Sequence, residues 1–242
     1  GCLQMLSAER AHNLTISALR AGLYPKHLPA DDPRLSARIL GQHFPNPIGI
    51  AAGFDKNALV YNQLLKLGFG FAEAGTVTPL AQPGNDGPRA FRLPGHQAII
   101  NRYGFNNDGM EAVAQRLQSV PPAGVLGINV GANKNSADKA VDYAACVRRL
   151  APFAGFITVN ISSPNTPGLR ALQVGDALDE LLARVVEARN EVVCDHQPIP
   201  LLLKIAPDVT EHQLDAIVRS VAAHRLEGMI VSNTTLDRSL VS

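Results

Sequence analysis

The chain has 242 residues, 46% of them apolar and 18% charged, enough to enclose a sizeable core and too apolar for a disordered chain. Its 22 basic residues against 21 acidic ones leave a net charge of +1, which withholds the basic field that nucleic-acid binding draws on. Cys2, Cys146 and Cys194 stand far apart with no CxxC pair, which disfavours a disulfide framework, a zinc site and thiol redox chemistry.

Residues 1–30 predict a short N-terminal helical segment, with an amphipathic helix over 7–21 (Ala8, Ala11, Leu14, Ala18, Leu19). Such a helix either plugs the bottom of the following domain or faces a membrane or partner. From residue 31 to 242, short apolar runs bounded by Gly, Pro or Asn predict six buried strands, over 47–54, 69–77, 125–132, 156–162, 201–206 and 229–232. Their apolar residues are nearly continuous, which suits parallel strands covered on both faces. Helical spacing fills the gaps: Leu59, Leu64, Leu65 and Leu67, then Met110, Val113 and Leu117. Further on come Ala140, Tyr143, Ala144, Val147 and Leu150, then Leu178, Leu181, Leu182, Val185 and Val186. Leu214, Ile217, Val218 and Val221 complete the set, with Asp208 and Glu211 spaced as a capping box before them. No run is long and apolar enough to span a membrane, because the longest uncharged stretch, 150–169, is broken by Pro152, Pro164 and Pro167.

Regular alternation of strand and helix gives an α/β fold, either doubly wound or a (β/α)8 TIM barrel. Polar residues decide for the barrel, since almost every strand ends in them: Asp55 and Lys56, Thr76, Asn129, Asn160 with Ser163, Lys204, and Asn233 with Thr234. Many strand ends converging on one mouth is the barrel's arrangement, whereas a doubly wound sheet concentrates its chemistry at one switch point. About six of eight strands are found, so the barrel is expected to be incomplete at the C-terminus.

The segment from Asn160 to Gly168 packs amides and hydroxyls just after a strand. It reads either as a proline-closed Asx/ST turn or as a wall for a ligand edge that alternates N–H and C=O, such as a pyrimidine. Asn101-Arg102-Tyr103-Gly104-Phe105-Asn106-Asn107 is either solvated surface or a cradle for a planar anion. Lys56 and Lys204 follow apolar strands where an unpaired ammonium is costly, so each implies a salt-bridged carboxylate or negative charge on a cofactor or substrate. The small residues of Ala51-Ala52-Gly53 would let a flat ring approach the backbone. No P-loop, GxGxxG turn, HExxH helix, histidine triad or metal-ligand cluster is present in the sequence.

Seven segments in register resemble the class 2, quinone-dependent dihydroorotate dehydrogenases. They are Ala51-Ala52-Gly53-Phe54-Asp55-Lys56, Gly75-Thr76-Val77-Thr78-Pro79, Phe91-Arg92-Leu93-Pro94, Asn101-Arg102-Tyr103-Gly104-Phe105-Asn106, 160–170, Leu203-Lys204-Ile205-Ala206-Pro207-Asp208 and Ser232-Asn233-Thr234-Thr235-Leu236-Asp237-Arg238. The resemblance implies an FMN flavoprotein that oxidises dihydroorotate to orotate in pyrimidine biosynthesis and reduces a membrane quinone. It further implies a monomer peripheral on the bacterial cytoplasmic membrane, or alternatively on the mitochondrial inner membrane. Carried over by position, Ser163 resembles the base that takes the C5 proton, where class 1 relatives place a cysteine; the C6 hydride goes to FMN N5. Thr166 and the Phe105 backbone resemble the proton relay that so weak a base requires. Lys56, Asn101, Arg102, Tyr103, Gly104, Phe105, Asn106, Asn160, Asn165, Asn233 and Thr234 resemble substrate contacts. Ala51, Ala52, Gly53, Phe54, Asp55, Thr76, Asn129, Asn160, Lys204 and Ser232 resemble cofactor contacts, with Lys204 beside the flavin's pyrimidine edge. His12 and Arg92 resemble polar residues of the quinone tunnel.

Three departures qualify the resemblance. Ser232 stands where threonine is expected, and Ala132 where lysine is usual. The glycine-rich loops after strands seven and eight, which hold the flavin phosphate in this family, are not in the sequence, so weak FMN binding is expected of it. The N-terminal membrane-associating region is likewise expected to be clipped. Two other readings compete: a non-catalytic pyrimidine-binding scaffold, and another FMN barrel dehydrogenase acting on a pyrimidine.

Overall fold

The computed structural model describes residues 5–26, 28–166, 168–173, 175–192, 198–239 and 241; Gly1, Cys2, Leu3, Pro167, Cys194, Leu240 and Ser242 lie outside them. In chain order the elements are α1 (Ala8–Arg20), β1 (Ala37–Ile39), β2 (Gln42–Phe44), β3 (Gly49–Asp55), α2 (Tyr61–Lys66) and β4 (Phe71–Val77). Next come β5 (Ala90–Leu93), β6 (Ala98–Asn101), α3 (Met110–Ser119), β7 (Val125–Val130) and α4 (Lys139–Leu150). The last are β8 (Phe156–Asn160), α5 (Asp176–Glu191), β9 (Leu201–Ile205), α6 (Glu211–Ala223) and β10 (Gly228–Val231).

All six expected strands form, and they make one sheet in the order β3-β4-β7-β8-β9-β10, every neighbouring pair parallel. Strand order therefore follows chain order without reversal, which removes the switch point of a doubly wound sheet. Right-handed crossovers between strands so ordered put their helices on one face, as in a (β/α)8 barrel.

The two faces differ in chemistry, and that difference makes the site. On the helix side, Ala72, Ala74, Ile128, Val130, Ile157, Val159, Leu201 and Leu203 pack into the main core with Val113, Leu117, Tyr143, Val147, Leu150, Leu181, Leu182 and Val185. Register partners share a face in a parallel ladder. The inner face accordingly runs Glu73 beside Gly127 and Phe156, then Asn129 beside Thr158 and Leu202, then Asn160 beside Lys204. Near-continuous apolar composition thus conceals a polar inner face.

The bottom of this face is sealed by Phe44, Val125 and Phe156, joined by Leu40, Phe71 and Leu202. Phe44 and Phe71 meet edge to face at 5.7 Å, a contact supplied by the β1–β2 hairpin. Gly127 makes room for Phe156, whose ring would lie 2.2 Å from a Cβ at that position. The bottom plug is therefore a hairpin rather than the N-terminal helix. Helix α1 instead brings Glu9 and His12 to Arg89 and Lys56.

Local signals were shifted in places. Helix α6 is capped by Thr210 and Gln213, which exchange side-chain and backbone hydrogen bonds, and not by Asp208 and Glu211. Asp208 is held elsewhere, by Arg170, Thr235 and the Leu236 N–H. Of the apolar stripe expected on α6, Ile217 and Val221 are buried, whereas Leu214 and Val218 are exposed. Leu14 of α1 is exposed as well, and Ala11 and Leu19 are its buried residues.

Candidate active site

A hydrogen-bonded chain of polar side chains crosses the inner face from β3 to β8. The Ala52 N–H donates to Glu73 Oε2 at 3.2 Å, and Asn129 Nδ2 donates to Glu73 Oε1 at 2.9 Å. Asn129 Oδ1 accepts from the Thr76 hydroxyl at 2.6 Å and from Asn160 Nδ2 at 2.9 Å. Asn160 Nδ2 also reaches Thr76 Oγ1 at 3.0 Å, while its Oδ1 accepts from Ser162 Oγ at 2.6 Å. Every polar side chain in it is buried, so each bond replaces hydration that the fold has removed, and loss of one partner exposes the others to the full desolvation cost.

Above this layer lies a cavity of about 250 Å³, lined by Ala52, Gly53, Lys56, Gly75, Thr76, Asn101, Tyr103, Gly104, Phe105, Asn106, Asn160, Ser163, Asn165, Lys204, Asn233 and Thr234. These come from the ends of β3, β4, β6, β8, β9 and β10 and from the segment that follows β6. Among the described residues two ammonium groups and no carboxylate line it, so its field favours an anion.

Two polar groups await a partner there. Lys204 is 8% exposed, and its ammonium forms no hydrogen bond or ion pair among the described residues, which removes the salt-bridge alternative. Asn106 Oδ1 is buried without a donor among the described residues. An orphan ammonium and an orphan carbonyl oxygen in one cavity ask for a ligand that presents both acceptor and donor.

Lys56 donates to the Gly53 carbonyl oxygen at 2.7 Å and lies 3.4 Å from His12 Nε2. Burial draws its ammonium down to about 8, Glu9 and Asp55 acting against the shift and Arg89 with it. Burial, then the charge on Lys56, holds His12 down to about 4, with Glu9 opposing. Ser163 is buried, and its Oγ accepts the Asn165 N–H at 3.2 Å.

Several expected residues stand outside the cavity wall. Asp55 is turned to the N–H groups of Leu59 and Val60, each at 2.7 Å, and burial raises its carboxyl in spite of them. Its part is to close the turn into α2. Asn129 is committed to the inner-face network, Arg102 to the Pro88 carbonyl and Ser232 Oγ to the Asn233 carbonyl. Ala51 is exposed on β3, and Phe54 packs edge to face on His12 at 5.3 Å. Thr166 is buried beyond the wall, and Arg92 donates to the Leu6 carbonyl at 2.6 Å. Phe105 lines the cavity, but its carbonyl already accepts from Gln82 Nε2 at 3.1 Å and Asn107 Nδ2 at 2.8 Å.

Sequence reasoning missed Glu73, Arg89, Asn85 and Arg170. Glu73 left a legible trace, an acid inside an apolar strand, where a charge persists only if paired. Arg170 ties three strand ends together, donating to the Ser162 carbonyl at 3.1 Å, to Asp208 at 2.8 Å and to the Thr234 carbonyl at 3.3 Å.

With this geometry in hand, similarity to known proteins is informative. A family model described as dihydroorotate dehydrogenase matches residues 34–242. Over 239 residues the chain is 55% identical to the dihydroorotate dehydrogenase (quinone) of Rhodopseudomonas palustris strain BisB5, covering 98% of this chain and 65% of that protein. The protein of the same name from Rhizobium rhizogenes is 53% identical over 237 residues, with 98% and 66% covered. The chain thus spans just under two thirds of the length of these curated relatives. The crystal structure of DHODH from Eimeria tenella in complex with ferulenol superimposes with a TM-score of 0.92 at 38% identity, covering 98% of this chain and 69% of that one. A rim built on six parallel strands with its strand-end lysines and amides, matched in sequence and in shape, places the chain in the dihydroorotate dehydrogenase family.

Proposed function

We propose that this chain carries the pyrimidine- and flavin-binding mouth of an enzyme that oxidises dihydroorotate to orotate with a quinone as acceptor. The observation that carries the reading is the acid-free cavity in which Lys56, Ser163 and Lys204 meet beside the unpaired Asn106 carbonyl oxygen. Dihydroorotate is a carboxylate anion whose N1–C2–N3–C4 edge alternates N–H and C=O, and its product orotate keeps that edge in a planar ring. The amides of Asn101, Asn106, Asn165 and Asn233 offer the complementary edge, and Lys56 offers the countercharge.

The residues present also fit the ring of a flavin, which we read as FMN. Gly53, with φ at 106°, has nothing within 4 Å of where a Cβ would stand, so a flat ring could lie against the end of β3. Thr76 and Lys204 line the same cavity, and Lys204 supplies an ammonium for the electron-rich pyrimidine edge of such a ring. When bound, the flavin supplies a two-electron acceptor.

Ser163 takes a proton from the ring carbon while its Oγ is oriented by the Asn165 N–H. A hydroxyl is a weak base, so the proton must move on. Thr166, buried three residues later, is its first recipient, while the Phe105 carbonyl, already occupied by two amides, acts as a fixed wall. Arg170 keeps the Ser163 loop in register with the loop of Asn233 and Thr234.

The quinone would approach between α1 and the β5–β6 hairpin, where Arg92 of β5 reaches the Leu6 carbonyl, His12 of α1 lies against Lys56, and Met5, Leu14, Phe91 and Ile99 are exposed. That apolar rim supports peripheral membrane contact, and the protein is read as a monomer; no helix among the described residues is long and apolar enough to cross a membrane. The test is anaerobic addition of dihydroorotate to the flavin-loaded protein. Bleaching of the flavin and its recolouring by a quinone are expected; a colourless protein that binds orotate would make it a scaffold instead.

A further inference from the structure

Among the described residues Lys56 forms no salt bridge, although Glu9 and Asp55 lie near enough to act on its charge. Its ammonium rests on the Gly53 carbonyl and over the Tyr103 ring, 4.6 Å from the centroid, while Asp55 is engaged by Leu59 and Val60. The same ring has a second cation beside it, with Arg89 Cζ 5.6 Å from the centroid. Arg89 lies immediately before β5 and is paired with Glu9 of α1, its Nε and Nη2 donating to Glu9 Oε1 at 2.9 and 2.6 Å. Its Nη1 donates to the carbonyls of Pro83 and Asn85 at 2.6 and 3.0 Å. Asn85 in turn donates to the carbonyls of Tyr103, Arg102 and Asn165, at 2.9, 3.1 and 3.4 Å. One carboxylate from the N-terminal helix thus neutralises the guanidinium that shares an aromatic ring with Lys56 and anchors the loop around the cavity.

We propose that Glu9 and Arg89 are positioning residues of the pyrimidine site, an ion pair that sets the charge of Lys56, and so its hold on an anionic pyrimidine, without touching the ligand. This rests on the reading of the cavity given above. The charged and titratable groups facing Lys56 are Glu9 and His12 from α1, Asp55 from its own loop, and Arg89 and Tyr103 from around the β5–β6 hairpin. Around neutral pH His12 is uncharged, and burial together with Glu9 raises the Tyr103 phenol, so it too stays neutral. Lys56 therefore titrates between two carboxylates and one guanidinium. The two members of the pair push it in opposite directions although both are needed for the pair to form. Helix α1 consequently belongs to the pyrimidine half of the reaction as well as to the quinone side.

The experiment is orotate affinity of the flavin-loaded protein, measured calorimetrically across pH. In the parent, affinity is expected to fall as pH rises through about 8. Glu9→Gln is expected to move that midpoint down by about half a unit or more, weakening orotate roughly threefold on the alkaline side. Arg89→Gln is expected to move it up, and Glu9→Asp to restore the parent value. Midpoints that stay in place, or that move the same way in Glu9→Gln and Arg89→Gln, would overturn the proposal, since a purely structural latch cannot give opposite signs. If Glu9→Gln does not fold, the upward shift in Arg89→Gln alone decides. A parent that binds no orotate at any pH would refute the function assigned to the cavity, a separate failure.

Discussion

Replacing Ser163 by alanine separates chemistry from binding. The side chain is 4% exposed and its Oγ accepts one neutral hydrogen bond, from the Asn165 N–H. Losing that bond costs about 0.5–1.5 kcal/mol, so Ser163→Ala should fold and retain its flavin. No ammonium is removed and the Asn106 carbonyl is untouched, so orotate affinity should change by less than about threefold, about 0.7 kcal/mol. The proton on the ring carbon, in contrast, loses its acceptor. General-base contributions run to about 10²–10⁴, so flavin reduction by dihydroorotate should slow by that factor, about 3–5 kcal/mol on the barrier. Ser163→Cys, whose thiol ionises more readily, should fall between alanine and the parent. The assay is anaerobic rapid mixing followed by flavin absorbance, with orotate titration as control. Reduction at the parent rate in Ser163→Ala, with orotate bound normally, would refute the assignment of the base.

Lys204→Met should release flavin more readily on dialysis while leaving the urea midpoint unchanged or raised, because no group among the described residues pairs with the ammonium it removes; a lowered midpoint with full flavin retention would make the residue structural. Glu73→Gln should cost about 1–3 kcal/mol in urea unfolding, since its amide can accept from only one of Ala52 N–H and Asn129 Nδ2 and sets a donor against the other. His12 titrates at about 4 in the folded chain and near its ordinary value when unfolded. Between those values the unfolded state holds the extra proton, so stability should fall as pH falls through that window, and His12→Gln should flatten the slope. An unchanged slope in that variant would count against the buried, neutral imidazole.

How much of this was legible in the sequence depended on which residues announce themselves locally. The six sheet strands were found because continuous apolar runs between turn residues have few other uses, and Tyr143, Val147 and Leu150 of α4 or Leu181, Leu182 and Val185 of α5 bury the faces their spacing foretold. The hairpins β1–β2 and β5–β6 were invisible, since strands of three or four residues establish no period. Lys56, Ser163, Lys204 and Asn233 were visible as polar residues at strand ends, and the fold brings them to one cavity. Asp55 and Asn129 carried the same signal but serve the chain itself, one capping a turn and the other crossing the inner face. Strand-end position selects residues near a mouth; it cannot tell which of them the backbone will claim. Arg89 and Asn85 lay beyond reach because their roles come from partners dozens of residues away, Glu9 and Asn165.

The most direct measurement is the difference density of crystals of the flavin-loaded protein soaked with orotate. A ring in the mouth cavity is expected, with a donor on Asn106 Oδ1, its carboxylate within reach of Lys56 and the Ser163 hydroxyl facing the C5 edge. Orotate held at any other place, or in this cavity with Lys56 and Ser163 turned away from it, would contradict the account.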